Sequence, residues 1–220
     1  MRIFKRFIAL AAGAAFLLST GAAVGQIIAG KDYRLVNPPQ PVASGAKIEV
    51  LEFFWYGCPH CKNLQPPLRT WLKRKPADVD FKRVPAVFQD SWVPLTKAYF
   101  TIEAMGLIDK LHHETFAAIH EQKLRLQDPN VLFDWVGKRG VDRQKFAATY
   151  NSFAVQSRAQ RAKDMTGNYD IPGTPALVVD GRYLTAPSLT LNPDNSINYE
   201  RYFRVLDEVI ALARKDRGAK

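Results

Sequence analysis

The chain holds two cysteines, and they stand three residues apart as Cys58-Pro59-His60-Cys61. The segments on either side limit what can form around them. Ile48-Glu49-Val50-Leu51-Glu52-Phe53-Phe54 is short, mostly apolar, and rich in β-branched and aromatic residues, which reads as a buried strand. Trp55-Tyr56-Gly57 interrupts the run. Apolar residues then recur at Leu64, Leu68, Trp71 and Leu72 with helical spacing. The cysteine pair therefore lies where a strand turns into a helix. Cys58 falls at the helix N-terminus, and Pro59 occupies a first-turn position where proline is tolerated.

That position carries chemistry. Free backbone N–H groups and the positive end of the helix dipole favour a thiolate. Cys58 is expected to ionise more readily than a free cysteine, and a protonated His60 would add to the effect. Alternatively, His60 is only an exposed turn residue. A stabilised thiolate leaves well, and it makes the disulfide form eager to be reduced. Cys61 lies one turn in, which suits the resolving role.

Other uses of such a pair fit poorly. A Cys-x-x-Cys bridge closes a tiny loop, so it restrains the unfolded chain very little. A chain of 220 residues also buries a core without such a staple. A zinc site lacks its other ligands, since no second pair exists and His112, His113 and His120 fall in a separate helical stretch. Covalent haem attachment wants His directly after the second cysteine, where this chain has Lys62.

The first 25 residues have the three parts of a secretory signal peptide. Arg2, Lys5 and Arg6 open it, Ile8 to Leu18 is uncharged and apolar, and small residues follow to Ala23. Cleavage is expected near Ala23 to Gly25. The apolar run is short for a membrane anchor. Those three cations are the only charges in the segment, so the remainder carries +7 of the net +10. No basic run with interleaved aromatics appears, which argues against a nucleic-acid partner. The mature chain is expected to be secreted into an oxidising compartment, where disulfides persist.

Further along, Pro66 and Pro67 are expected to kink the helix or end its first segment. Glu52 alternates onto one strand face with Val50 and Phe54. It either accepts a proton from Cys61 or points to solvent at a strand edge. Strands are expected at 31–36, 47–54 and 79–84. The chain reads as helical from about 92 to 165, with start signals at Asp128-Pro129 and Val141-Asp142. Strand character returns at Ala176–Val179, Asp180-Gly181 makes a hairpin turn, and Tyr199 to Ala213 forms an amphipathic helix.

Two segments carry a family resemblance. Val50 to Cys61, VLEFFWYGCPHC, resembles the active-site segment of the DsbA family, the disulfide-donating oxidases of the bacterial periplasm. Its Pro-His dipeptide is characteristic of that family, and Glu52 matches the family's buried acidic residue. Pro66 resembles the kinking proline of thioredoxin helices. Ile171 to Val179, IPGTPALVV, resembles the cis-proline strand of the thioredoxin fold. The resemblance implies that Pro175 is cis, lies near Cys58 and leaves backbone free for a substrate strand. It makes Thr174, Pro175 and Trp55 the substrate-binding residues, and Cys58, Cys61, His60, Pro59 and Glu52 the catalytic set. Thr174 stands where the best-known DsbA proteins have Val, and Thr occurs there in some isomerase-type relatives and some DsbA relatives.

The expected architecture is therefore α/β, a thioredoxin fold with an inserted helical subdomain. Residues 26–90 and 166–220 form the thioredoxin-like domain and 91–165 the insertion. The expected protein is a monomer that needs no cofactor beyond its own Cys58–Cys61 disulfide. It donates that disulfide to reduced, unfolded secreted proteins and is reoxidised by a DsbB-like membrane quinone reductase. A disulfide isomerase or reductase is one alternative. The other is a non-catalytic binder of unfolded chains, using exposed apolar surface around Trp55 and Tyr56.

Overall fold

The structure is a computed structural model describing residues 27–218. The expected leader, residues 1–25, lies outside them. β1 (Arg34–Leu35), β2 (Ile48–Phe54), β3 (Val79–Pro85), β4 (Ala176–Val179) and β5 (Tyr183–Thr185) make one sheet in the order β1-β5-β4-β2-β3. β3 runs parallel to β2, and β4 antiparallel to it on the other side. The parallel pair is bridged by α1 (Pro59–Arg74), since parallel neighbours need a crossover.

β2 is buried at all seven positions, as a strand covered on both faces must be. Ile48 and Val50 pack with Leu64, Leu68 and Trp71 of α1 and with Tyr202, Leu206 and Val209 of α7 (Tyr199–Gly218). Leu51 and Phe53 join a second core built with Ile102, Phe116 and Trp135. Those come from the helices between β3 and β4: α2 (Val93–Ala104), α3 (Ile108–His120), α4 (Pro129–Gly137), α5 (Arg143–Tyr150) and α6 (Phe153–Asn168). Asp128 and Asp142 cap α4 and α5 through side-chain bonds to backbone N–H groups, as their start signals implied. Asp180 and Gly181 both take positive φ, 54° and 65°, which suits the tight hairpin between β4 and β5.

Two local expectations are corrected. Pro66 and Pro67 do not end the helix, because α1 runs through both. A proline inside a helix costs about 3 kcal/mol, but Leu64, Leu68 and Trp71 bracket the pair and are fully buried. Their burial contributes roughly 1.5–3 kcal/mol each, enough to offset the prolines. The early strand expected at 31–36 shrinks to two residues, paired at the sheet edge with β5. Pro38 and Pro39 stand three and four positions past its end, and proline has no N–H to extend a ladder.

Candidate active site

The site is built on the junction of β2 and α1. Cys58 is the N-cap of α1, with extended backbone at φ −87° and ψ 118°. Its Sγ accepts the backbone N–H of Cys61 at 3.3 Å, and its thiol donates to the Thr174 carbonyl at 3.3 Å. The Thr174–Pro175 peptide is cis, so the loop before β4 meets the cysteine pair as the resemblance implied. Both cysteines are free.

The two sulfurs are not alike. Cys58 retains slight exposure, 8 %, while Cys61 has none. Hydrogen bonds from Cys61, from the Thr174 side chain and from the N–H groups of Cys61 and His60 hold the Cys58 thiol at about 5, against a smaller opposing effect of burial. Burial pushes the Cys61 thiol far up, and the adjacent Cys58 adds to this. Helix-start geometry thus acts through particular N–H groups. His60 is exposed at the rim, and its backbone N–H reaches the sulfur.

Glu52 does not point to solvent at a strand edge. It is fully buried, because β2 is flanked by β3 and β4. Arg83, directly opposite in the β2–β3 register, donates to its Oε2 at 2.9 Å. Gln65, on α1, donates to its Oε1 at 3.0 Å. Burial raises the Glu52 carboxyl, and Arg83 and Gln65 only partly offset this. A carboxyl with a raised pKa is suited to passing protons near neutrality.

Tyr56 is fully buried rather than part of an exposed apolar surface. It packs edge-on against Phe54 and Phe116, and its hydroxyl is hydrogen-bonded with His112 Nδ1 at 2.9 Å. Trp55 is half-buried and stacks on Trp92 with ring centroids 4.0 Å apart. Its ring lies over Gly57, where any Cβ would come within 2.3 Å of it. Gly57 is therefore required for the Trp55 ring to fold back.

Sequence reasoning missed four residues that the fold brings here. Arg83 and Gln65 hold Glu52, His112 meets Gln65, and His120 Nε2 donates to the Tyr56 carbonyl at 2.8 Å. Only Gln65 carried a local signal, standing one helical turn after Cys61 and donating to its carbonyl at 3.2 Å.

Beside the pair, a cleft of about 310 Å³ is lined by His60, Thr174, Pro175, Pro187, Leu191 and Ile197. A larger cavity of about 550 Å³ lies on the Leu51 face of the sheet against α6, and reaches the site only through Arg83. The cleft is the one positioned for the cysteine chemistry, since it shares Thr174 with Cys58. Among the described residues no group of three or more His, Cys, Asp or Glu could hold a metal ion. Nor is any helix long and apolar enough to cross a membrane.

A cysteine pair at a strand–helix junction, faced by a cis-proline loop, defines a thiol–disulfide oxidoreductase on a thioredoxin fold. Comparison with known proteins agrees. The family model of the DSBA-like thioredoxin domain matches residues 78–192, a span that takes in the Pro175 loop. The thiol:disulfide interchange protein DsbA of Burkholderia cepacia is 41% identical over 79% of this chain and 86% of that protein. Its Pseudomonas aeruginosa counterpart is 36% identical over 91% and 94%. The crystal structure of Pseudomonas aeruginosa DsbA superposes with TM-score 0.79 at 35% identity, covering 87% of this chain and 97% of that one. The oxidoreductase DsbA from Xylella fastidiosa gives 0.77 at 32%, covering 86% and 98%. The chain belongs to the DSBA-like thioredoxin family. Its fold is the expected thioredoxin fold with inserted helices.

Proposed function

We propose that this oxidoreductase acts as a disulfide donor through Cys58 and Cys61. The observation that carries the reading is the asymmetry of the pair: Cys58 is the reachable sulfur and is held at about 5, while Cys61 is buried and pushed up. A substrate thiolate attacks Cys58 of the disulfide form, and a mixed disulfide forms as the Cys58–Cys61 bond breaks. The electron pair leaves on Cys61, which takes a proton because its buried thiolate is costly. Glu52 supplies that proton and recovers it when the pair closes again. A second substrate thiolate then attacks the substrate sulfur of the mixed disulfide and expels Cys58 as a thiolate. A stabilised Cys58 thiolate makes the reduced form comfortable and the oxidised form a strong oxidant; the DsbA enzymes are the type case of that rule.

Pro59 starts the helix and His60 lines the cleft with Thr174 and Pro175. An extended substrate segment is taken up there, with Trp55, stacked on Trp92 outside the cleft lining, as a further contact. The substrates are reduced, unfolded proteins newly exported to the periplasm. The leader expected over residues 1–25 supports that location. The pair is its own redox cofactor, and a DsbB-like membrane quinone reductase restores the disulfide. Residues 26–90 and 166–220 form the redox module and 91–165 the inserted subdomain.

The test is oxidation of a reduced two-cysteine peptide by the disulfide form, together with the reduction potential. Stoichiometric oxidation, its loss in Cys58→Ser and an oxidising potential are expected. Activity that survives Cys58→Ser, or a strongly reducing potential, sinks the donor reading in favour of a binder or a reductase.

A further inference from the structure

Three buried side chains stand behind Glu52 without a part in the exchange steps: Gln65, His112 and Tyr56. With Glu52 ionised, their hydrogen bonds leave a single arrangement. Gln65 Nε2 lies 3.0 Å from Glu52 Oε1 and 3.2 Å from the Cys61 carbonyl. Both are acceptors, so a reversed amide would set three oxygens against one another. Gln65 Oε1 therefore faces His112 Nε2, 3.1 Å away, and that nitrogen must carry the proton. His112 Nδ1 is left to accept the Tyr56 hydroxyl at 2.9 Å. The donors run one way, from Tyr56 to His112 to Gln65 to Glu52.

Neither intermediate group disturbs the order by ionising. Burial holds His112 well below the ordinary imidazole range and raises Tyr56, so the first stays neutral and the second protonated. Around Glu52 the titratable or charged groups are Arg83 from β3, Cys61 from α1, His112 from α3 through Gln65, Tyr202 from α7, and Tyr56 just past β2. From β4, the residue in register with Glu52 is the apolar Leu177.

We propose that Gln65, backed by His112 and Tyr56, is a positioning residue that clamps the Glu52 carboxyl beside Cys61 and favours its ionised form. The same amide holds Glu52 and the Cys61 backbone, so it sets the distance between acid and thiol. A hydrogen bond to the ionised form lowers a carboxyl pKa. The clamp thus strengthens Glu52 as the acceptor of the Cys61 proton when the pair closes. This inference rests on the reading of Glu52 as the proton shuttle.

The test follows closure of the pair from a Cys58–glutathione mixed disulfide, across pH, in the full-length mature protein. The step needs ionised Glu52, so its midpoint reports that group. Gln65→Met removes the donor at similar volume and should move the midpoint up by about one pH unit, the worth of one hydrogen bond to a charged group. His112→Phe should move it in the same direction by less, and His112→Gln, which keeps a donor, should restore it. The Cys58 thiolate titration, read by ultraviolet absorbance in the reduced protein, should not shift. In a Glu52→Gln background, Gln65→Met should add nothing. An unmoved or lowered midpoint in Gln65→Met, with the pH dependence abolished by Glu52→Gln, overturns the clamp and leaves the shuttle standing. A wild-type profile in Glu52→Gln overturns the shuttle and the clamp with it. Should Gln65→Met not fold, carbon-13 titration of Glu52 in His112→Phe against His112→Gln decides the same question, equal values refuting the clamp.

Discussion

Cys58 and Cys61 stand one turn apart at the start of one helix and each acts on the other, yet their surroundings shift them in opposite directions. Cys58 keeps slight exposure, and the Cys61 thiol, the Thr174 side chain and N–H groups of its own helix start favour its thiolate. Cys61 lies inside α1 with no exposure, and its hydrogen bonds with the Trp55 backbone and the Thr174 side chain do not offset its burial. The difference teaches that a helix N-terminus alone does not activate a thiol. Donors must converge on the sulfur, and here they converge on the first of the pair only. One sulfur becomes the leaving group that a substrate can expel, and the other needs a proton supplied from beside it.

The largest effect that would break this comparison is loss of the second sulfur. Cys61→Ser should leave Cys58 reactive but stop turnover, so mixed disulfides with substrate accumulate. Non-reducing gels and mass spectrometry check this, and full turnover in that variant would refute the division of roles. Next, Glu52→Gln should slow exchange at Cys61 by about a hundredfold, the ordinary worth of one positioned acid–base group. Alkylation of Cys58 should keep its rate, because that thiolate is stabilised elsewhere. Equal slowing at both cysteines would mean that Glu52 acts through structure alone.

A smaller effect is thermodynamic. In the reduced protein the Cys58 pKa falls from an ordinary 9.0 to about 5. An acid lowered on folding stabilises the fold above its unfolded pKa and loses that contribution as pH falls through its folded value. The reduced form should therefore lose several degrees of Tm, relative to the oxidised form, as pH drops from about 9 to about 5. Cys61 is raised, so its folded state stays protonated throughout that window and its unfolded state ionises only at the upper end. Calorimetry of both redox forms checks the sign, and Cys58→Ala should abolish the dependence. Smallest is Thr174→Val. It removes one donor from the Cys58 thiolate while leaving the backbone carbonyl, and should raise that pKa by roughly half a unit. An unchanged thiolate titration would show that the helix-start N–H groups suffice.

Much of the fold was legible because its signals are local. The period of β2, the caps Asp128 and Asp142, and the Asp180-Gly181 turn each act within a few residues of themselves. The errors were equally physical. Pro66 and Pro67 read as a kink or an end because proline propensity is local, whereas the burial of Leu64, Leu68 and Trp71 that carries the helix past them belongs to the packed core. Glu52 read ambiguously because alternation names a face but not what covers it. Tyr56 read as surface because the helix that buries it, α3, begins some fifty positions later.

From its sequence alone this chain specified a redox cysteine pair at a strand–helix junction, with Cys58 first in line, since the strand, the turn and the helix start are contiguous. Which groups meet the pair was decided only by tertiary structure. Gln65 and Arg83 lie 13 and 31 positions from Glu52, His112 lies 47 from Gln65, and Thr174 lies 116 from Cys58. Contacts at such separations form only when whole elements pack, and burial then sets the charge of each group it encloses.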